Sequence, residues 1–273
     1  VRCLRHGIVT SFAFEGVTKR YGPVTALNPT DLELKAGELL SLVGETGSGK
    51  TTLAMIAAGV IRQDRGRRIF EDRDMDEWLK KDAKSMAERI GVIYQNPAES
   101  ISHRFTVYDA VAEPLNIHNV GKDKTEKREM VKSVLADVHL STDDVFLGRY
   151  PHELNMGALQ RICIARALVL SPSLLIADEP TSALDPSVQA KVLKLLLDLQ
   201  TERGLTMLFV SHDMALARKI SDRIGVMLAG GLVELGRASL VLSRPAHPYT
   251  KMLLESADGQ WKETWKINSQ TMT

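Results

Sequence analysis

An α/β fold built around a phosphate-binding loop is predicted by three observations. Residues 44–51 read Gly44-Glu45-Thr46-Gly47-Ser48-Gly49-Lys50-Thr51, a complete G-x-x-x-x-G-K-[ST] pattern. The apolar run Leu39, Leu40, Leu42, Val43 precedes it and a helix-compatible run from Thr52 to Ala58 follows, which is the strand–loop–helix setting such a loop requires. A second apolar strand over 173–178 delivers two adjacent acids, Asp178 and Glu179, at its carboxyl end.

The other elements follow from periodicity and turn chemistry. Residues 12–18 and 31–40 alternate apolar and polar side chains, which predicts half-exposed antiparallel strands at the N-terminal end. Residues 62–90 are charge-rich and yield no assignment. Ile90–Tyr94 is a short strand stopped at Asn96-Pro97. From 106 to 149 the pattern turns helical and rich in Glu and Lys, which predicts a helical insertion rather than a separate folding unit. A helix over about 157–170 carries Leu159, Ile162, Ala165 and Leu168 at helical spacing. The next helix has Asp185 as N-cap, Pro186 at its first position and Gly204 as its stop. A strand over 205–210, a helix near 214–220 and a hairpin about Gly230-Gly231 complete the series.

Composition narrows the function. Formal net charge is +1, hydrophobic residues make up 44% and charged residues 25% of the 273, so no overall basic balance points to nucleic acid. No apolar run reaches the roughly 18–20 residues of a membrane span, and the N-terminus lacks the long apolar stretch of a secretory signal. Cys3 and Cys163 form neither a metal pattern nor a disulfide framework, and the latter lies on an apolar helical pattern that reads as packing. A reducing cytoplasm fits this usage. His6, His103, His118, His139, His152 and His247 show no metal-ligand spacing.

The loop and the acids carry chemistry together. The glycines let backbone N–H groups turn inward around a phosphate, at a helix N-terminus that adds positive potential. Lys50 is placed to reach β- and γ-phosphates, the Thr51 hydroxyl to ligate Mg²⁺, Asp178 to hold the same ion, and Glu179 to polarise an attacking water.

Three further features set the family: Ser182-Ala183-Leu184-Asp185, His212 in a Ser-His-Asp setting after the strand LTMLFVS, and Gln95 at the end of IGVIY. With YPHELNMGALQRICIARAL at 150–168, these segments resemble the ATP-binding-cassette ATPases over residues 12 to about 255. The resemblance implies one ATPase domain over 11–256, with its core and antiparallel β-subdomain at about 11–96 and 151–240. It also implies a helical subdomain at about 97–150 and a polar tail at 257–273. It implies ATP and Mg²⁺ as ligands and ATP hydrolysis coupled to transport as the activity. By position, Tyr21 looks like the aromatic that stacks on adenine, with Thr25 and Ala26 nearby. Gly44 to Thr52 form the phosphate site. Gln95 resembles the glutamine that senses Mg²⁺ and water and contacts the transporter subunit. His212 resembles the histidine that contacts the γ-phosphate, and Asp185 the aspartate that acts across a dimer interface.

The chain departs from its family at the signature Leu-Ser-Gly-Gly-Gln-x-Gln-Arg. Residues 154–161 read Leu154-Asn155-Met156-Gly157-Ala158-Leu159-Gln160-Arg161, so Asn155, Met156 and Ala158 differ. In this family the signature of one subunit closes on the nucleotide of the other. Asn155 is as good an N-cap as serine, Met156 is costly if its position needs glycine's backbone freedom, and Ala158 loses a polar side chain. Two explanations compete: a heterodimer with an ATPase whose signature is intact, or a homodimer with two impaired sites. The complete acids and loop favour the heterodimer.

The segment Arg244–Ala257 and the surrounding motifs resemble the peptide and nickel importer ATPases. Absence of the C-terminal cysteine cluster found in many oligopeptide members leans toward nickel or another metal chelate; ATPase-like proteins of phosphonate breakdown carry similar motifs. The importer reading implies permease subunits docked near Gln95 and the helical insertion, and a substrate-binding protein met only indirectly. It implies no nucleic acid, and a peripheral place on the cytoplasmic face of the inner (plasma) membrane. A DNA-repair or translation relative would carry a coiled-coil insertion or second cassette, and neither is visible. A nucleotide-gated scaffold would bind ATP with negligible turnover.

Overall fold

The computed structural model describes residues 10–257; Cys3, His6 and nearly all of the 257–273 tail lie outside them. The first half of the chain runs β1 (Thr10–Tyr21), β2 (Val24–Lys35), β3 (Leu39–Val43), α1 (Lys50–Ala57), β4 (Arg65–Phe70), β5 (Arg73–Asp74), α2 (Met75–Ala87), β6 (Ile90–Ile93), α3 (Pro97–Ser100), α4 (Val107–His118), α5 (Lys124–Asp137) and α6 (Asp144–Leu147). It continues through α7 (Met156–Leu168), β7 (Leu174–Asp178), α8 (Pro186–Arg203), β8 (Thr206–Ser211), α9 (Met214–Ile220), β9 (Arg223–Leu228), β10 (Gly231–Arg237) and α10 (Ala238–Ser243).

Two sheets divide these strands. An antiparallel sheet has the order β2-β1-β4-β5, and a second has the order β10-β9-β3-β8-β7-β6. In the second, β9, β3, β8, β7 and β6 are parallel and β10 is an antiparallel edge. Every residue of β3, β7 and β8 is buried, as strands covered on both faces require. Alternation then sends side chains to two separate cores. Leu174, Ile176, Leu208 and Val210 join α1 and the antiparallel sheet, whereas Leu175, Ala177, Met207 and Phe209 join the helical layer.

The helical layer reaches beyond the predicted insertion. Val111 and Leu115 of α4 and Val131 and Leu135 of α5 share one core with Ile162 and Ile164 of α7 and Leu195 of α8. The signature helix therefore ties the insertion to the sheet.

Two readings of the sequence need revision. The alternating run 31–40 is not one strand: β2 stops at Lys35, a turn with Gly37 at φ 75° follows, and Leu39 enters the other sheet. The Glu38 carboxylate accepts the Lys35 N–H at 2.9 Å and holds that turn, so the alternation merely runs on through it. The unassigned stretch 62–90 contains β4, β5 and α2. Only Met75, Trp78 and Met86 of α2 are buried, and Asp82 leaves helical geometry midway, so no clean period reaches the sequence.

An ion pair joins this region to the nucleotide helix. Arg68 on β4 is buried, donates to the Ile56 carbonyl of α1 at 2.8 Å and pairs with Asp76 of α2, which also accepts from Gln63. Burial pushes the Asp76 carboxyl up, but the bonds and charge of Arg68 and Gln63 outweigh it and hold the group below its ordinary value. Removing the carboxylate in Asp76→Ala leaves Arg68 charged and uncompensated, with an expected loss of ~3–5 kcal/mol in urea unfolding near neutral pH. Because the folded value is depressed, the wild-type contribution is full above the unfolded aspartate value of about 3.9 and is lost as pH falls through the folded one. The gap between the two proteins should therefore close on acidification.

Candidate active site

Parallel strands end together on one edge, and there the predicted residues meet. The loop 44–49 leaves β3, Gln95 follows β6, Asp178 ends β7, and His212 follows β8. Carboxyl ends of parallel strands are where open α/β sheets bind ligands.

Backbone contact shapes the loop. Gly44 (φ 151°) and Gly49 (φ 103°) have conformations that side chains rarely adopt, and a Cβ would sit 2.2 Å from the Met227 carbonyl oxygen at the first and 2.6 Å from that of Ala26 at the second. Ser48 accepts the Gly230 N–H at 3.0 Å through its carbonyl, so the β9–β10 turn supports the loop from outside. Its side-chain Oγ is buried without a hydrogen-bond partner. Gly49 caps α1 with no side-chain bond, so no side chain caps that helix terminus. Glu45, Thr46 and Gly47 are exposed, and Thr52 is half-buried at the start of α1. An orphan hydroxyl, a bare helix N-terminus and glycines pressed against backbone suit a polyphosphate.

Lys50 is buried and donates to the carbonyls of Gly44 and Glu45, each at 2.8 Å. An ammonium has three donors, so one remains. Burial lowers the Lys50 pKa, against the charges of Glu179, Asp178 and Glu45, which raise it.

Thr51 Oγ1 donates to Asp178 Oδ1 at 3.2 Å, joining two of the three residues predicted toward Mg²⁺; the third, Gln95, bonds to Glu179. Burial pushes the Asp178 carboxyl above its ordinary value; the Thr51 bond and Lys50 oppose that and the Glu179 charge adds to it. Such a group holds its proton more tightly than a free aspartate, and a divalent cation competes with that proton.

Glu179 adopts φ 46°, a left-handed conformation costing a non-glycine residue about 1–2 kcal/mol. Its N–H donates to the Val210 carbonyl at 3.0 Å and its own carbonyl accepts the Ser182 hydroxyl at 3.1 Å, which hold it there. Its Oε2 accepts from Gln95 Nε2 at 3.3 Å and meets His212 Nδ1 at 3.1 Å. Three separate sequence motifs thus converge on one oxygen. The sequence offers no sign of the strained backbone that brings this about.

Tyr21 ends β1, is 47% exposed and has the Lys19 ammonium 5.5 Å from its ring centroid. Thr25 and Ala26 lie on β2, and the Ala26 carbonyl touches the loop at Gly49.

At the signature, Asn155 caps α7 as expected, its Oδ1 accepting the Ala158 N–H at 2.9 Å. Met156 has no positive φ and is 37% exposed, so the methionine costs no backbone strain. A Cβ on Gly157 would lie 2.7 Å from Val188, which makes this glycine the close contact between α7 and α8. Ala158 and Gln160 are buried, and both amide atoms of Gln160 lack hydrogen-bond partners. Asp185 caps α8 through the N–H groups of Ser187 and Val188, both at 3.1 Å. A surface cleft of about 750 Å³ runs between Asn155, Met156, Gly157, Leu184 and Asp185, apart from the acids. No cluster of metal-ligating side chains occurs among the described residues.

Comparisons with known proteins identify the family. Residues 27–182 match the ABC transporter family. The oligopeptide transport ATP-binding protein AppF of Bacillus subtilis is 42% identical over 239 residues, which span 87% of this chain and 72% of that protein. The oligopeptide transport ATP-binding protein OppF of Streptococcus mutans is 42% identical over 233 residues, 85% of this chain and 75% of that one. Among solved structures, cbiO1 from Clostridium perfringens, part of the ABC transporter complex cbiONQ, has a TM-score of 0.76 at 27% identity, covering 86% of this chain and 92% of that one. The ATP-binding cassette MJ0796, solved as a dimer bound to ADP and phosphate, has a TM-score of 0.74 at 28% identity, covering 83% and 98%. These two curated relatives lie on the peptide side of the peptide–nickel branch. The chain belongs to the ABC transporter family, with the ATP-binding proteins of oligopeptide transport.

Proposed function

We propose that the chain powers peptide import by binding and hydrolysing ATP, as a peripheral subunit on the cytoplasmic face of the plasma (inner) membrane. The observation that carries this reading is the meeting of Lys50, Asp178, Glu179, Gln95 and His212 where β3, β7, β6 and β8 end. Kinship with oligopeptide ATP-binding proteins supports the class of cargo.

Each side chain then has one task. Gly44 to Thr52 hold the phosphates through Lys50 and the loop's backbone N–H groups other than those of Glu45 and Ser48, which are already bonded within the protein, and Tyr21 offers its exposed ring to adenine. Thr51 and Asp178 would hold Mg²⁺, with Gln95 beside them; the ion, when bound, neutralises charge on the phosphate oxygens. Glu179 accepts the proton of the attacking water. A proton on Nδ1 of His212 would make its 3.1 Å contact with that carboxylate a hydrogen bond that orients the ring.

Two further surfaces fit partners. A cleft of about 380 Å³ between β6 and the helical layer, lined by Gly91, Tyr94, Glu113, Ile117 and Arg166, adjoins Gln95 and suits a cytoplasmic loop of a permease. The substrate-binding protein meets the permease, not this chain, and no nucleic acid takes part. The signature surface faces a second ATPase subunit. Its Asn155 keeps the cap, but Met156 projects where the family has glycine, and Ala158 offers no polar group. A sister ATPase with an intact signature would complete the site on Lys50.

Two measurements test this. Glu179→Gln is expected to lower turnover by at least ~10²-fold while nucleotide affinity stays within about threefold. Unchanged turnover would remove Glu179 as the base. Purified alone, the chain should hydrolyse ATP on the order of 10²-fold more slowly than when assembled with permease and a sister of intact signature. Equal rates in the two preparations would favour a self-sufficient homodimer.

A further inference from the structure

The segment after β10 returns to the phosphate loop and touches it at one atom. Glu234 on β10 anchors that return, accepting the N–H groups of Ala246 at 2.9 Å and His247 at 3.0 Å and the hydroxyl of Thr250 at 2.6 Å. Thr250 is fully buried, and helical backbone begins at residue 248. Tyr249, also buried, shares an apolar cluster with Val43, Met214, Ala238 and Val241. Its hydroxyl oxygen accepts the backbone N–H of Glu45 at 3.0 Å.

That N–H belongs to the peptide unit joining Gly44 to Glu45. The carbonyl of the same unit, on Gly44, accepts from Lys50 Nζ at 2.8 Å. A peptide unit is planar, so fixing the direction of its N–H fixes the direction of its C=O. The Glu45 carbonyl, one unit on, accepts a second Lys50 donor at 2.8 Å and the Ser48 N–H at 3.2 Å. Two of the three ammonium donors are thereby held, and the third has a set direction.

We propose that Tyr249 is a positioning residue for nucleotide binding: its hydroxyl orients the Gly44–Glu45 peptide, and through that peptide aims Lys50. The segment from Arg244 to Ala257 is then a strut, braced on Glu234, that carries the hydroxyl to the outside of the loop. Tyr249 acts through the loop peptide and Lys50 alone. The proposal rests on the reading of the loop as a nucleotide site.

The test is a double-mutant cycle on the purified full-length chain, with MgATP titrated calorimetrically into wild type, Tyr249→Phe, Lys50→Met and the double variant. Phenylalanine keeps the ring in its cluster, so the melting temperature should move by no more than about 4 °C, the effect of one hydrogen bond in a domain of this size. Tyr249→Phe is expected to raise the Kd for MgATP by roughly three- to tenfold, the worth of one neutral hydrogen bond. In the Lys50→Met background the same change should alter Kd by less than about 1.5-fold, because the group being aimed is gone. Amide exchange at Glu45 should quicken in Tyr249→Phe while that of the β3 strand stays unchanged. Equal affinity of wild type and Tyr249→Phe would overturn the proposal, as would an equal loss in both backgrounds, which would mark Tyr249 as structural. Failure of the wild-type chain itself to bind MgATP would overturn the nucleotide reading, and the proposal with it.

Discussion

The rest of the structure depends on how closely the loop 44–49 is pressed by backbone. Carbonyl oxygens of Met227 and Ala26 stand where a Cβ at Gly44 or Gly49 would go, and the β9–β10 turn donates to Ser48. Two strands distant in sequence, β2 and β9, and the turn that follows β9 therefore touch one loop through main-chain atoms, which tolerate almost no change of shape. Such a cradle cannot relax around its ligand by moving side chains. It must be built correctly, and each surrounding element, from the antiparallel sheet to the C-terminal strut, holds one side of it.

The acids show the complementary arrangement. Where the loop is fixed by backbone contact, Glu179 is fixed by strain, in a left-handed conformation secured by hydrogen bonds from its N–H to Val210 and to its carbonyl from Ser182. Its carboxylate is then reached by both Gln95 and His212. Strain of this kind collects at sites where geometry matters more than stability. The signature region is conventional by comparison: Asn155 and Asp185 are ordinary caps, and Gly157 is a contact point between helices.

Much of this was legible beforehand, and the reasons are local. The loop motif, the strand ending in Asp178-Glu179, the Asp185-Pro186 helix start and the hairpin near Gly230 each declare themselves within a few residues, because capping, turn chemistry and phosphate binding are short-range. Strand order was not legible, since nothing in β8 itself says that it lies between β3 and β7. The turn at Gly37 was masked by an alternation that continued through it, and α2 by its break at Asp82. Within the site, the residue types of Gln95, Glu179 and His212 were readable, but their convergence on one oxygen depends on a backbone angle no pattern encodes. Tyr249 sat in a recognisable segment without a role until its hydroxyl was seen against Glu45.

Strand order also governs when the site can exist during synthesis. The strand that carries the phosphate loop, β3, pairs only with β8 and β9, and both lie beyond residue 205. On a ribosome the loop emerges early, yet its strand has no neighbour in its own sheet until most of the chain has been translated. The strand bearing Asp178 can pair with β6 beforehand, but it reaches β3 only across β8. Nascent chains therefore carry a buried-type apolar strand unpaired for a long interval, in a topology whose defining contacts are distant in sequence and slow to form. Completion of the sheet waits for β8, and until it is made the loop on β3 and the acids at the end of β7 belong to no common sheet.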